Sequence, residues 1–166
     1  MSKRSLDTTT SSTAKKAATA PNYWLMKSEV DVLSIHDLQK KPNMTDEWDG
    51  VRNYQARNFL KSMKIGDKAF FYHSNVKKST GIVGIVTITS EHYPDTTYKP
   101  GEGTREPKEP WVSVDVTLNE IFKHPILLDD LKKHTELNNM ALFKQSRLSV
   151  QPVTSEEYDF ILGLRQ

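Results

Sequence analysis

Residues Thr80–Tyr93 read TGIVGIVTITSEHY. The run is dense in β-branched residues, whose restricted χ1 angles suit a pleated strand, so one long strand is predicted here. Gly81 and Gly84 interrupt it. A glycine inside a strand marks a bulge or bend, as a sheet that curls toward a barrel needs.

Working outward, Lys64–Asn75 (KIGDKAFFYHSN) gives a turn at Gly66-Asp67 and then a buried strand. On the other side, Pro94–Pro110 is rich in Pro, Gly, Thr and charge and reads as a loop. Trp111–Phe122 (WVSVDVTLNEIF) alternates: Trp111, Ser113, Asp115 and Thr117 on a polar face, Val112, Val114, Val116 and Leu118 on an apolar one. Pro125 is expected to end that strand. Ile126–His134 (ILLDDLKKH) predicts a short helix, and Arg147–Val153 (RLSVQPV) a strand stopping at Pro152.

Toward the N-terminus, Asn22–Glu29 (NYWLMKSE) predicts a short apolar strand that opens the folded part. Ser34 is placed to cap a helix through Leu38, ending before Pro42. Asn53 is placed to cap another over Tyr54–Met63, where Ala56, Phe59, Leu60 and Met63 share one face. Thr154 and Glu157 form a capping box for a last helix with Tyr158, Ile161 and Leu162 inward. Strands in uneven order, helices at their ends and no βαβ rhythm predict an α+β fold with a curled, largely antiparallel sheet.

The chain has 166 residues, 27% of them charged and 36% hydrophobic, the profile of one soluble globular domain. No apolar run approaches the ~20 residues of a membrane helix, and no secretory signal is evident. Absence of cysteine excludes disulfides, thiolate nucleophiles and Cys-based zinc sites. Residues 1–22 are mostly Ser, Thr, Ala and Lys and are expected to be a disordered tail. Their basic pairs Lys3-Arg4 and Lys15-Lys16 resemble a two-part nuclear import signal, or simply a solubilising tail. The tail carries +3 of a net +2, which leaves −1 for the rest. A domain gripping long duplex mainly through phosphates would be far more basic, so any nucleic acid must be held by a local patch or pocket.

Signals of catalysis are weak. His36, His73, His92, His124 and His134 show no helical metal-site spacing, and no metal or cofactor is expected. His73-Ser74 are strand neighbours and point to opposite faces. There is no G-x-S-x-G elbow, and Gly101-Glu102-Gly103 has no helix after it to cradle phosphate. Signals of grip are stronger. Trp48 and Trp111 lie beside turns, Arg52 and Asn53 open a helix, and Tyr72, His73, Ser74 and Asn75 close a strand. Strand ends and helix starts converge at a barrel's mouth, where aromatic rings can stack a planar base. Each residue also has a plain structural reading. The tryptophans pack in cores, Arg52 braces a loop or pairs with Asp49, and Asn53 only caps. Trp24, Phe70 and Phe71 are expected in the core.

The segments Tyr23–Glu29, Trp48–Asn75 (WDGVRNYQARNFLKSMKIGDKAFFYHSN), GIVGIV with YPD beyond it, WVSVDV and RLSVQPV resemble, in order, the EVE domain of the thymocyte nuclear protein family. The resemblance spans residues 23–166. It implies a PUA-like pseudo-barrel of mostly antiparallel strands surrounded by short helices. It also implies recognition of a modified base, notably modified cytosine in DNA or a modified RNA base, in a pocket with aromatic walls, and nuclear residence. Carried over position by position, it nominates Lys27, Ser28, Glu29, Trp48, Gly50, Val51, Arg52, Asn53, Tyr72, His73, Ser74, Asn75, Trp111, Arg147 and Ser149. The family's proline after Lys-Ser-Glu is replaced here by Val30.

The expected function is therefore a non-enzymatic reader whose partner is nucleic acid. Trp48 and Trp111 wall the base, the backbone at Gly50 and Val51 with Ser28 and Asn75 reads its edge, and Lys27 and Arg52 meet the sugar-phosphate flank. Two alternatives are an enzyme acting on a base or nucleotide with His73 or Glu29 as acid–base, and a peptide-binding adaptor.

Overall fold

The computed structural model describes residues 22–101 and 107–166. The segment 1–22, expected to be a tail, lies outside these but for Asn22, as does part of the 94–110 loop. The elements in chain order are β1 (Tyr23–Glu29), α1 (Ile35–Gln39), β2 (Thr45–Trp48), α2 (Tyr54–Ser62), β3 (Lys68–Ser74), β4 (Gly81–Ile88) and β5 (Tyr93–Pro94). They continue with β6 (Val112–Leu127), α3 (Leu128–Leu131), α4 (Ala141–Lys144), β7 (Val150–Val153) and α5 (Ser155–Leu164). Single 3-10 turns fall at Pro42–Met44 and Thr135–Leu137.

The strands form one open mixed sheet in the order β2-β6-β4-β3-β1-β7, with β5 pairing β6 beside it. Every pairing is antiparallel except β1 with β3. That parallel pair needs a crossover, and residues 30–67, carrying α1, β2 and α2, supply it. Its register sets Lys27 beside Tyr72, Ser28 beside His73 and Glu29 beside Ser74, so two strand ends meet at one edge of the fold.

Both faces of the sheet are covered, which explains the unbroken apolar runs. Trp24, Met26, Phe71, Val86 and Val114 pack under α1 and α2 through Ile35, Leu38, Ala56 and Leu60. Leu25, Phe70 and Ile85 pack on the other face against Leu131, Leu142, Tyr158 and Ile161. Adjacent Phe70 and Phe71 thus serve opposite cores, each fully buried. The buried indole N–H of Trp24 donates to Asp67 at 2.9 Å, which ties β1 to the turn before β3.

The predicted helix starts are in place. Ser34 and Asp37 form a reciprocal capping box on α1, Thr154 and Glu157 form another on α5, and the Asn53 side chain accepts from Ala56 N–H on α2. Each such cap is worth about 1 kcal/mol. The glycines of β4 are required by close approach. A Cβ on Gly84 would meet the Glu120 carbonyl and Ile35, and one on Gly81 would meet the Ile126 carbonyl. The register slips beside Val83 on both neighbours, the bulge those glycines signalled.

Other boundaries differ from expectation. β6 runs through Pro125 to Leu127, because Phe122–Pro125 form an unpaired bulge between the Gly84–Ile121 and Ile82–Ile126 pairs, where a missing N–H is harmless. The predicted helix over 126–134 shrinks to the single turn of α3, since Ile126 and Leu127 are strand. β4 stops at Ile88, and Tyr93 belongs to the short β5. β7 begins at Val150 and passes through Pro152, which an edge strand tolerates. β2 and α4 carried no expectation at all.

Candidate functional site

The C-terminal ends of β1 and β2, the turn after β1 and the approach to α2 enclose a hollow of about 450 Å³. That lies within the usual size of small-molecule sites, roughly 300–1,000 Å³. Its lining is Lys27, Ser28, Glu29, Val32, Leu33, the run Asp46–Arg52 and Ser149. Eight of the residues nominated from sequence are brought together here: Lys27, Ser28, Glu29, Trp48, Gly50, Val51, Arg52 and Ser149.

Trp48 ends β2, is only 6% exposed, and meets Phe71 edge-on with ring centroids 5.5 Å apart. It is core and wall at once. After it the chain turns through Gly50 at φ 76°, a left-handed conformation that glycine adopts without strain. The turn is anchored by Asp95, whose carboxylate accepts from Gly50 N–H at 2.8 Å and from the Arg52 guanidinium at 2.9 Å. Thr97 completes its shell through N–H at 2.8 Å and hydroxyl at 2.5 Å. Burial pushes the Asp95 carboxyl up, but bonds from Thr97, Arg52 and Gly50 outweigh it and hold the group below the usual carboxylate range.

Arg52 is therefore paired with Asp95, not with Asp49, and Gly50 N–H is engaged within the fold instead of facing a ligand. The Arg52 guanidinium also lies 5.3 Å from the Tyr98 ring and 5.7 Å from the Trp111 ring. Lys27 donates through its ammonium to the Ser146 carbonyl at 2.6 Å, and its burial lowers its basicity. The Ser28 hydroxyl donates to the Leu33 carbonyl at 2.8 Å and so braces the turn after β1.

The wall between these groups is acidic. Asp46, Glu47 and Asp49 follow one another along the hollow. Burial raises Glu47 against a hydrogen bond from the Ser113 side chain that lowers it, and the negative charge of Asp49, Asp95 and Asp115 adds to the rise. Burial likewise raises Asp49, with Asp95 and Asp46 contributing. Glu47 Oε2 and the Ser113 hydroxyl are both buried, and the Ser113 side chain stands against the Glu47 carboxylate.

The remaining nominated residues lie elsewhere. Trp111 is not in the lining. It is 7% exposed and stacks on Tyr54, with centroids 5.2 Å apart and planes 10° apart. Asn75 takes φ 60° in the β3–β4 turn and borders a separate hollow with Lys77, Lys78 and Thr80. Trp48, Arg52 and Asn75 thus do not converge on one cavity. Tyr72 faces the second core, where burial pushes its phenol up to about 12. The His73 ring accepts from Ile35 N–H through Nε2 at 3.1 Å, and burial and His36 lower its basicity. Ser74 closes β3 beside it. Asn53 and Arg147 border a smaller hollow with Gln55 and Gln145.

Sequence reasoning passed over Asp46, Glu47 and Asp95, and named Asp49 only as a partner for Arg52. Asp95 belongs to the YPD segment, a faint signal. Its reach to Gly50 depends on β5 pairing Tyr93 with Ser113, a contact no local pattern reveals. Among the described residues no group of three or more His, Asp or Glu could hold a metal, and no helix is long and apolar enough to cross a membrane.

A mixed sheet with helices on both faces and a hollow at its strand ends defines the class. Residues 22–164 match the EVE domain model, and the chain belongs to the EVE domain family. Thymocyte nuclear protein 1 of Rattus norvegicus is 48% identical, covering 87% of this chain and 74% of that protein. The Homo sapiens protein of that name is 44% identical, covering 95% and 80%. Among solved structures, human THYN1 protein in complex with 5-methylcytosine containing DNA superposes with a TM-score of 0.77 at 43% identity, covering 86% of this chain and 96% of that one. A hypothetical protein from Leishmania major superposes at 0.78 and 43% identity, covering 87% and 94%.

Proposed function

We propose that this protein is a non-enzymatic reader of nucleic acid that takes a modified base, modified cytosine foremost, into the hollow beside Trp48. One observation carries the reading. The hollow of about 450 Å³, with Trp48 among its lining residues, sits on a fold shared at 43% identity with a protein solved in complex with 5-methylcytosine containing DNA. Trp48, held by Phe71 and mostly buried, lends the hollow an apolar contact for a base. Lys27 supplies positive charge in the lining, with its ammonium held by the Ser146 carbonyl. The near-neutral body fits recognition of one base more than grip on many phosphates. Nuclear residence, as in the relatives' name, belongs to the same proposal.

An enzyme using His73 is less well supported. The Nε2 atom that would take a proton already accepts a backbone amide, and His73 is absent from the lining. Titration of paired oligonucleotides, with and without 5-methylcytosine at one position, tests the reader. Burying one methyl group adds about 0.8 kcal/mol, so roughly fourfold tighter binding of the modified strand is expected. Equal affinity for both, falling steeply with salt, overturns the proposal.

A further inference from the structure

The hollow beside Trp48 has a smaller neighbour of about 310 Å³, lined by Asn53, Gln55, Gln145, Ser146, Arg147 and Leu148. The two adjoin at three points. Asn53 follows Arg52, Leu148 precedes Ser149, and the Ser146 carbonyl holds the Lys27 ammonium at 2.6 Å. Their charges differ in sign. In the larger hollow Glu29, Asp46, Glu47 and Asp49 outnumber Lys27 and Arg52, and the Arg52 charge is already matched by Asp95. Such a lining repels a phosphate. In the smaller hollow Arg147 is the one charged residue among the described lining. It makes no ion pair among the described residues. The turn that carries it is fixed on both sides. Leu148 N–H donates to the Gln145 carbonyl at 3.0 Å, the buried Gln151 amide donates to the Leu148 carbonyl at 2.9 Å, and Lys27 N–H donates to the Ser149 carbonyl at 2.9 Å. Across the hollow, Asn53 engages its side-chain oxygen with Ala56 N–H at 2.8 Å, which leaves its NH₂ group to donate.

We propose that this smaller hollow is a phosphate subsite, which receives a backbone phosphate adjoining the base that enters the hollow beside Trp48. The Arg147 guanidinium pairs with the phosphate, its planar fork of donors matching two phosphate oxygens, and the Asn53 NH₂ group donates to it. The inference rests on the base-reading function proposed above and assigns the side on which the strand leaves the base. A near-neutral body can hold a polyanion in this way, because the one cation offered to phosphate stands apart from the acidic wall.

Single-stranded oligonucleotides with one 5-methylcytosine supply the test, the linkage on its 5′ side, its 3′ side or neither being replaced by an uncharged methylphosphonate. One of the two replacements should weaken binding by the wild-type protein about fivefold. It should also make the fall of log affinity with log salt shallower by about 0.7, the share of one phosphate in a single strand. Arg147 is exposed, so Arg147→Gln should fold as the wild type does. This variant should bind the all-phosphate strand about fivefold more weakly, and the same replacement should then cost it nothing more. Asn53→Asp keeps a helix cap but sets a charge of the phosphate's own sign in the hollow, so stability to urea should hold while binding falls. Both variants should still prefer 5-methylcytosine to cytosine. Wild-type affinity in Arg147→Gln overturns the inference and leaves the reader intact. So does a methylphosphonate cost that is the same in Arg147→Gln as in the wild type. Equal binding of 5-methylcytosine and cytosine strands by the wild type is the separate failure of the reader, and the subsite falls with it.

Discussion

Asp95 and Glu47 are carboxylates of one neighbourhood that the fold treats in opposite ways. Asp95 is fully enclosed and takes hydrogen bonds from Gly50, Arg52 and Thr97. Glu47 is half-buried, with one oxygen shut away and only the Ser113 side chain against its carboxylate. Their acidities move apart accordingly. Hydrogen bonds outweigh burial at Asp95 and depress it, while burial and neighbouring acids raise Glu47. The difference teaches a division of labour. Asp95 uses its whole acceptor capacity to fix the Gly50–Arg52 turn, and so shapes the hollow. Glu47 lines the hollow without such a set of bonds, and its charge is disfavoured there.

The largest effect should come from Asp95→Asn. The amide loses the ionic bond to Arg52 and places an NH₂ against donors from Gly50 or Thr97. Charged hydrogen bonds contribute about 1.5–3 kcal/mol, and stranded buried donors cost a similar amount. Arg52 is about one-third exposed, which trims its share. A loss of about 2–3 kcal/mol in urea unfolding at neutral pH is expected, with binding of the 5-methylcytosine strand weakened as the turn loosens. A loss below about 0.5 kcal/mol would mean that Asp95 is no anchor, and the contrast with Glu47 would fail at its first term.

What could be read from sequence follows the range of the interactions. Caps at Ser34, Asn53 and Thr154 are local, three residues from their targets, and all three form. The β4 glycines were legible because backbone freedom is a property of the residue itself. The parallel pairing of β1 with β3 was not, because it depends on a crossover that no periodicity encodes. The same divide runs through the site. Trp48–Arg52 is contiguous in sequence and lies together in the hollow. Trp111 reads as exposed because Ser113, Asp115 and Thr117 share its face, yet the 93–98 segment and Tyr54 cover that face. Asn75 closes β3 but turns away at positive φ.

A smaller, opposite effect is expected from Glu47→Gln. Removing a disfavoured charge should leave stability unchanged or raised by less than about 1 kcal/mol at neutral pH. The pH profiles should also diverge. Asp95 is depressed in the fold, so its contribution is present above the ordinary aspartate value near ~3.9 and is lost as pH falls through its lower folded value. Glu47 is raised, so its contribution is present below the ordinary value near ~4.3 and is lost as pH rises through its higher folded value. The gap between wild type and Asp95→Asn should therefore close in acid. The gap between wild type and Glu47→Gln should open as pH climbs from about 4 toward neutrality. Urea midpoints across that range check both slopes, and parallel profiles would erase the distinction.

The smallest effect is expected from Asp46→Asn, and it cuts most finely. Asp46 lines the same hollow and carries the same charge, but Lys41 pairs it at 3.4 Å, with the two side chains 31% and 44% exposed. An exposed pair of this kind contributes about 0–1 kcal/mol, so stability should move by no more than about 0.5 kcal/mol. Binding of the 5-methylcytosine strand should stay within about twofold of wild type, because Lys41 already balances the Asp46 charge. If Asp46→Asn instead weakens that binding as much as Asp95→Asn does, recognition would follow the summed negative field of the hollow and not the turn that Asp95 holds. Anchoring and lining carboxylates would then be equivalent contributors to recognition, and what separates Asp95 from Glu47 would concern stability alone.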